Sequence, residues 1–182
     1  MPIGPKTLLK LVKTKKLVEN LSDRELTNPE GAGFDLRLGE VYKIKGRGFL
    51  GIDERQTPKE RLVAKYKAAP KKKRQAFTIK PGEFVLVKTV ESVNLPKDIA
   101  GHLYARSTLF RSGLFLSLTQ VAPGYDGELT MGLTNVGGSI MEIELGARIA
   151  HIQFTRVEGG GSLYRGQWKG GRVSARKKEK QV

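Results

Sequence analysis

Apolar residues recur at helical spacing only near the start of the chain. Between residues 5 and 17, Leu8, Leu9 and Val12 form one apolar stripe, and Pro5 stands where a helix commonly begins. Lysines fill most of the other positions of this stretch. We therefore expect a short N-terminal helix.

Further along, the hydrophobic pattern changes from helical spacing to alternation. The apolar residues within 34–38 alternate with Asp35 and Arg37, which predicts a strand with this polar pair on its other face, continued by residues 41–44. More short apolar runs, separated by glycine and proline turns, follow at residues 77–79, 84–90, 99–104, 115–119, 127–134, 141–145 and 148–155. Many short strands of this kind indicate a mainly β fold, a sandwich or a jelly-roll barrel.

The same pattern divides the chain into one domain with two additions. Residues 1–158 form the predicted β domain. Within it, residues 53–75 lack a sustained apolar face and are interrupted by Pro70, so we expect a basic insertion that forms a mobile loop or hairpin arm. Residues 159–182 are rich in glycine and then basic, which predicts a flexible tail or lid until something orders it.

Composition excludes several chemistries. The 182 residues contain no cysteine, which excludes disulfide scaffolds, thiolate–zinc sites and cysteine nucleophiles. The two histidines, His102 and His151, lie far apart in strand-like runs, which argues against a histidine metal site or a Ser-His-Asp triad. No apolar run approaches the length of a membrane span and no signal peptide is evident, so we expect a soluble, cytoplasmic protein without membrane partners.

The formal net charge of +15 is unevenly distributed. Basic residues concentrate in segments 1–16, 55–75 and 169–180, whereas the rest of the chain is nearly neutral. Such edges attract phosphates, either of a nucleotide or of a nucleic acid. Solvated, flexible edges that aid solubility are the alternative interpretation.

One short segment concentrates groups that bind anions. Arg106, Ser107, Thr108 and Arg111 follow an apolar strand and lie within six residues of one another. Guanidinium groups match phosphate oxygens, and a turn or short helix here would add backbone N–H groups. The segment is therefore a candidate phosphate cradle, although a surface turn with salt bridges would look similar.

This segment resembles the phosphate-binding motif of the dCTP deaminase/dUTPase superfamily. Other stretches resemble that superfamily's remaining motifs in the same order along the chain, at residues 33–39, 91–101, 122–135, 146–158 and 164–171. The Leu-Arg-Leu-Gly sequence at 36–39 and the Tyr-Arg-Gly-Gln sequence at 164–167 are closer to the deaminase branch.

The resemblance implies a fold, an assembly and a reaction. The fold would be a distorted jelly-roll, or β-clip, barrel of the dUTPase-like type. The protein would be a homotrimer with active sites between subunits, and Mg²⁺ would bind through the triphosphate. The expected reaction is hydrolysis of dCTP to dUTP and ammonia, with hydrolysis of dUTP to dUMP and pyrophosphate as the alternative.

The resemblance also implies roles for individual residues. In the deaminase pattern Ser107 and Arg111 belong to the catalytic site, and Asp35 would support the metal through water. The phosphate ligands would be Arg106, Ser107, Thr108, Arg111 and Arg165. The residues around the base and sugar would be Tyr125, Leu129, Thr130, Tyr164 and Gln167.

Two positions depart from the family pattern. Where the relatives carry carboxylates in the nucleoside-binding hairpin, this chain has Ala122 and Gly132, neither of which can move a proton. Asp126 and Glu128 are the candidate replacements, although Glu128 would lie about 13 Å from position 132 on a regular strand. A catalytically impaired nucleotide-binding or regulatory protein therefore stays open, as does weak nucleic-acid binding by the basic edges.

Overall fold

The computed structural model describes residues 1–181. The helices are α1 (Pro5–Lys15), α2 (Asp23–Thr27) and α3 (Ser107–Arg111), with 3₁₀ turns at Lys71–Lys73 and Lys169–Gly171. The strands are β1 (Val18–Glu19), β2 (Gly33–Lys45), β3 (Phe49–Leu50), β4 (Glu54–Gln56), β5 (Lys59–Lys65), β6 (Ala76–Ile79), β7 (Phe84–Asn94), β8 (Ile99–Ala105), β9 (Leu114–Ser117), β10 (Gln120–Val121), β11 (Asp126–Asn135), β12 (Met141–Glu144), β13 (Arg148–Arg156) and β14 (Glu179–Lys180). Within this described part, no helix is long and apolar enough to cross a membrane.

One large antiparallel sheet dominates the molecule. Its strand order is β10-β8-β13-β2-β7-β11-β9, with β1 added to β7 and β5 added to β2. Two small sheets, β12-β6 and β14-β4-β3, complete the architecture. The mainly β fold predicted from the alternating pattern is confirmed, and each predicted strand after residue 76 is present within a few residues of its expected bounds.

The predicted N-terminal helix is also confirmed. Helix α1 buries Leu8 completely against the sheet and ends where Lys16 adopts a left-handed conformation, with φ of 51°. Leu17 then enters the same core. Inside the sheet, the rings of Phe34 and Phe154 meet edge to face with centroids 6.3 Å apart.

Strand β2 carries buried polar residues beside its apolar ones. The strand continues unbroken through residues 41–44, and its apolar residues are buried as expected. Asp35, however, is only 2% exposed, and Arg37 donates from Nε to Glu91 Oε1 at 2.6 Å. Both faces of β2 are covered over residues 33–41, so Asp35 and Arg37 form buried ion pairs, whereas Lys43 and Lys45 near the end of the strand are exposed.

The insertion is an ordered part of the sheet system. Strand β5 pairs with β2 from Glu40 to Lys45, and β3 and β4 form a small hairpin before it. The hairpin arm predicted for residues 53–75 is therefore accompanied by a full edge strand. Helix α2, before β2, is an additional element that the hydrophobic pattern did not predict.

The C-terminal segment packs on this insertion. The backbone N–H of Thr57 donates to the Ala175 carbonyl at 3.1 Å, and that of Ala175 donates to Thr57 Oγ1 at 2.8 Å. Strand β14 pairs with β4, and Ala175 is fully buried. The tail was expected to need an ordering partner, and here the insertion of the same chain supplies one.

Candidate functional site

A cavity of about 490 Å³ lies beside β11, between the large sheet and the C-terminal segment. Its walls come from β11 and the turn before it, from the insertion, and from residues 164–173. The lining residues are Ile44, Thr57, Pro58, Phe84, Leu86, Leu103, Thr119, Gln120, Val121, Ala122, Tyr125, Leu129, Thr130, Tyr164, Trp168, Arg172 and Val173. A mostly apolar hollow with a few polar groups is typical of a small-molecule site.

A bulge in β11 shapes the cavity wall. The pairing of β11 with β7 shifts register between Glu128 and Thr130. At this point the N–H of Leu129 donates to the hydroxyl of Thr89 at 3.0 Å, and that hydroxyl donates to the Glu91 carbonyl at 2.6 Å. In a regular strand, the consecutive residues Leu129 and Thr130 would point to opposite faces. Because of the bulge, both residues line the cavity.

Aromatic residues close the cavity from the tail side. The rings of Tyr125 and Tyr164 pack edge to face with centroids 5.2 Å apart. The Tyr125 hydroxyl donates to the carbonyls of Glu128, at 2.8 Å, and Trp168, at 3.1 Å. Burial, with the neighbouring Tyr164, raises the pKa of Tyr125 to about 12. This hydroxyl is therefore a fixed hydrogen-bond donor at neutral pH and not a base.

Most of the predicted base and sugar residues meet at this cavity. Tyr125, Leu129, Thr130 and Tyr164 all line it, and the Thr130 hydroxyl is buried without a hydrogen-bond partner among residues 1–181. Gln167 is not part of the lining, because its side-chain amide donates to Glu179 at 2.7 Å.

Sequence reasoning missed a second set of lining residues. Trp168, the single tryptophan of the chain, forms part of the wall, with the Arg55 guanidinium 5.8 Å from its ring centroid. Thr57 and Pro58 come from the insertion, to which the sequence assigned no role at this site. Trp168 could have been found from the sequence, because it directly follows the Tyr-Arg-Gly-Gln segment. Nothing in the local sequence marked Thr57.

The predicted phosphate cradle lies apart from the cavity lining. Ser107, Thr108 and Arg111 are exposed on α3, and the Arg111 guanidinium lies 5.7 Å from the Phe110 ring centroid. None of the predicted phosphate ligands contributes to the cavity wall. Arg165 is exposed on the C-terminal segment.

Arg106 turns inward to a buried ionic cluster around Asp35. The Asp35 carboxylate accepts hydrogen bonds from Arg106, from Arg148 at 2.8 Å and from His151 at 3.0 Å, and Arg24 lies 3.6 Å away. Burial alone would raise the pKa of Asp35, but the hydrogen bond from His151 and the charge of Arg106 lower it to about 2. The carboxylate is thus ionised and fully engaged.

These contacts determine whether Asp35 can help to hold a divalent cation. Asp35 Oδ2 is already bound by Arg106 and Arg148, and Oδ1 by His151, so Asp35 does not fit the metal-supporting role that the resemblance implied. Within residues 1–181, no other group of acidic or histidine side chains is arranged to hold a metal ion. Protein ligands for Mg²⁺ are therefore not provided by the described side chains.

Comparison with known proteins identifies the family. A family model described as dCTP deaminase-like matches residues 4–157. The chain belongs to the dCTP deaminase-like family. It is 32% identical over 170 residues to a dCTP deaminase of Thermococcus kodakarensis, covering 93% of this chain and 95% of that protein. It is 31% identical over 162 residues to a "dCTP deaminase, dUMP-forming" of Dictyoglomus thermophilum, covering 86% and 81%.

A solved structure supports the fold. The 2′-deoxycytidine 5′-triphosphate deaminase of Agrobacterium tumefaciens matches with a TM-score of 0.64 at 18% identity. The match covers 84% of this chain and 46% of that one, so this chain spans about half of its length. At this identity the likeness shows the shared β fold alone.

Within residues 1–181, no acidic side chain lines the cavity of this dCTP deaminase-like protein. Ala122 forms part of the wall, and a Cβ on Gly132 would lie 2.9 Å from the Phe84 ring. The two candidate replacements face the tail instead. Asp126 pairs with Lys169 at 3.3 Å, and a Cβ on Gly171 would lie 2.1 Å from the Glu128 carboxylate.

Proposed function

We propose that the cavity holds the base and sugar of a pyrimidine deoxynucleoside triphosphate, and that the protein hydrolyses dCTP to dUTP and ammonia. The observation that carries this proposal is the preformed cavity, built on the hairpin that the sequence indicated for nucleoside binding. Its walls combine aromatic faces with hydroxyl groups, which suits a planar heterocycle attached to a sugar.

The lining residues suggest how a pyrimidine would bind. The rings of Tyr125, Tyr164 and Trp168 provide apolar surface for the base and the sugar. The unpartnered Thr130 hydroxyl is free to hydrogen-bond a polar edge of the base, and leaving it without a partner is costly. Closure of Gln167 over the nucleotide would require its amide to leave Glu179.

The phosphate side of the proposed site involves α3. Ser107, Thr108 and Arg111 are exposed and available, whereas Arg106 would mainly position the start of α3 through its bond to Asp35. Because α3 does not line the cavity of its own chain, a second protomer is proposed to supply it, in a homotrimer with sites between subunits. Mg²⁺ would then arrive on the triphosphate and neutralise part of its charge.

One observation favours a second candidate, which is nucleotide binding without turnover. Deamination by water needs a group that moves protons, and such help is typically worth about 10²–10⁴ in rate. Among residues 1–181, the cavity offers hydroxyls and Arg172 but no carboxylate. Hydrolysis of dUTP to dUMP and pyrophosphate is the remaining alternative, and the dUMP-forming name of one relative makes its assay worthwhile.

Parallel assays of ammonia and pyrophosphate release on one sample test these functions. Ammonia from dCTP supports the deaminase, and pyrophosphate from dUTP without ammonia from dCTP supports the dUTPase. Stabilisation by either nucleotide without turnover supports the binding protein. If neither nucleotide is bound or turned over, the assignment of the cavity is wrong.

Variants of α3 test the phosphate side separately. Ser107→Ala and Arg111→Ala should each abolish the rise in melting temperature caused by nucleotide and Mg²⁺, because both remove a proposed phosphate ligand. Arg156→Ala is the matched control, since it removes an exposed arginine paired with Asp98 at 2.8 Å on another part of the surface. Normal stabilisation of both α3 variants would contradict the proposed phosphate site.

A further inference from the structure

The end of the β2–β5 ribbon presents four cations on one face. The antiparallel register places Lys43 opposite Arg61 and Lys45 opposite Lys59. Residues directly opposite in antiparallel strands project to the same side, and alternate residues of a strand share a face. All four side chains therefore lie on a single exposed face, which we name the ribbon face.

This arrangement is unfavourable unless an anion is present. Like charges directly opposite one another destabilise a strand pair, and here two successive cross-strand pairs are like-charged. Lys43 has a partner in Glu83, at 3.3 Å, whereas the other three cations have no ion pair within residues 1–181. The ribbon face is thus left with uncompensated charge.

The opposite face of the same ribbon shows that the cations are not needed for packing. There Ile44 lines the nucleotide cavity, and Glu60 binds Arg176 and Ser174 of the C-terminal segment. A surface depression of about 690 Å³ borders the ribbon face. Among the described residues, Glu60 is the one acidic residue that lines it, and its carboxylate is already bound by Arg176. The packing contacts of the ribbon therefore lie on one face, and its unpaired cations lie on the other.

We propose that the ribbon face binds the phosphodiester backbone of a nucleic acid. The cation pairs repeat about every 6.8 Å along the ribbon, at two residues per repeat, which suits a linear polyanion better than a single compact phosphate. Arg47, in the loop that follows β2, extends the positive surface. No apolar side chain stands among the four cations, as insertion into a lipid surface would require, and lysine and arginine contacts to phosphates predict binding without sequence preference.

The salt dependence of DNA binding tests this proposal. A fluorescent 20-nucleotide single strand is titrated with the full chain at several salt concentrations, and log K is plotted against log salt. The variant Lys45→Gln/Lys59→Gln/Arg61→Gln should make this negative slope shallower by about 2, since each lost contact to a single strand contributes about 0.7 to its magnitude. The matched control Lys71→Gln/Lys72→Gln/Lys73→Gln removes the same charge from an exposed 3₁₀ turn and should keep the slope.

Several outcomes would overturn the proposal. These are no binding of DNA by the unchanged protein, an equal loss of slope in both triple variants, or stronger binding to phosphatidylserine vesicles or polyglutamate than to DNA at the same salt. The melting temperature gives an independent check. At low salt the ribbon variant should melt no lower than the unchanged protein, because it removes like-charge pairs, and a clear decrease would show that the cations stabilise the fold instead.

Discussion

The cavity beside β11 and the cluster around Asp35 use opposite physical means to hold their residues in place. The cavity is fixed by apolar packing and by hydrogen bonds to backbone carbonyls, as at Tyr125. The cluster is fixed by charge, with Arg106, Arg148 and His151 gathered on one buried carboxylate. The first region is hollow and open to a ligand, whereas the second is filled.

The proposed nucleotide site would use both means. A base and a sugar are mostly apolar surfaces, and one chain can preform a pocket for them. Triphosphate binding needs free positive charge, and Arg111 on α3 remains exposed while Arg106 is neutralised internally. The buried cluster therefore acts as the anchor of α3, and the exposed helix carries the charge available to a ligand.

Replacing Asp35 should have the largest effect. Asp35→Asn removes the one negative charge shared by Arg106, Arg148 and His151, and breaking a buried ion pair from one side typically costs about 3–5 kcal/mol. Urea unfolding measures the loss. Asp98→Asn, which breaks an exposed pair with Arg156, should cost about 0–1 kcal/mol. Equal losses in the two variants would show that burial does not distinguish the cluster.

A substitution at Gly127 tests how the C-terminal segment is held against β11 beside the cavity. Gly127 has a φ of 114°, and an added Cβ would lie 2.3 Å from the backbone nitrogen of Gly171. Gly127→Ala should therefore push the C-terminal segment away from β11 and cost roughly 2–3 kcal/mol, through backbone strain and the clash. Limited proteolysis within residues 159–181 and thermal unfolding measure the effect.

The matched control for this variant is Gly138→Ala. Gly138 has no atom within 4 Å of an added Cβ and no left-handed φ, so this change should be nearly neutral. If Gly127→Ala leaves the proteolysis of the tail unchanged, the close contact between Gly127 and Gly171 does not hold the tail.

The sequence indicated several residues of the cavity wall but not the anchoring of α3. Tyr125, Leu129 and Thr130 were found because they belong to a motif, and a motif preserves the local backbone that directs its residues. The inward turn of Arg106 could not be seen, because its partner Asp35 lies on β2, 71 residues away along the chain. Alternation placed Asp35 on the face of β2 opposite the apolar residues, but it gave no sign that neighbouring cations would allow the burial of this carboxylate.

The insertion illustrates the same limit. Residues 53–75 were recognised as an addition because they lack an apolar face, and the ordered edge strand β5 was missed for that reason. Its backbone pairs with β2 through hydrogen bonds that any sequence can form. The contribution of Thr57 to the cavity follows from this pairing and from its bonds to Ala175, neither of which leaves a local signal.

Acid unfolding tests how much the charge of Asp35 contributes to the stability of the protein. The pKa of Asp35 is lowered from 3.8 to about 2, so its contribution is complete above pH 4 and is lost as the pH falls towards 2. Such a shift corresponds to roughly 2 kcal/mol. Unfolding measured between pH 5 and 2 should therefore show a shallower decline in Asp35→Asn than in the unchanged protein.

Glu40 provides the reference for this pH series. Burial would raise the pKa of Glu40, but hydrogen bonds from Lys65 and Lys88 lower it to about 2, so it contributes in the same window. Asp35→Asn should keep that residual slope, and the double variant with Glu40→Gln should be shallower still, with Glu60, whose pKa is also lowered to about 2, supplying part of what remains. An unchanged slope in Asp35→Asn would contradict the depressed pKa of Asp35.

The smallest effect is expected at the hydroxyl that links the hairpin to the tail. Tyr125→Phe keeps the ring packed on Tyr164 but removes the donor shared by the Glu128 and Trp168 carbonyls, which should cost about 1 kcal/mol. Tyr104→Phe is the control, because Tyr104 is half exposed and makes no side-chain hydrogen bond within residues 1–181. If the cavity depends mainly on aromatic packing, Tyr125→Phe should retain nucleotide-dependent stabilisation while Tyr125→Ala loses it. Loss of that stabilisation in Tyr125→Phe as well would mean that the hydrogen bonds, and not the ring, keep the cavity in a binding form.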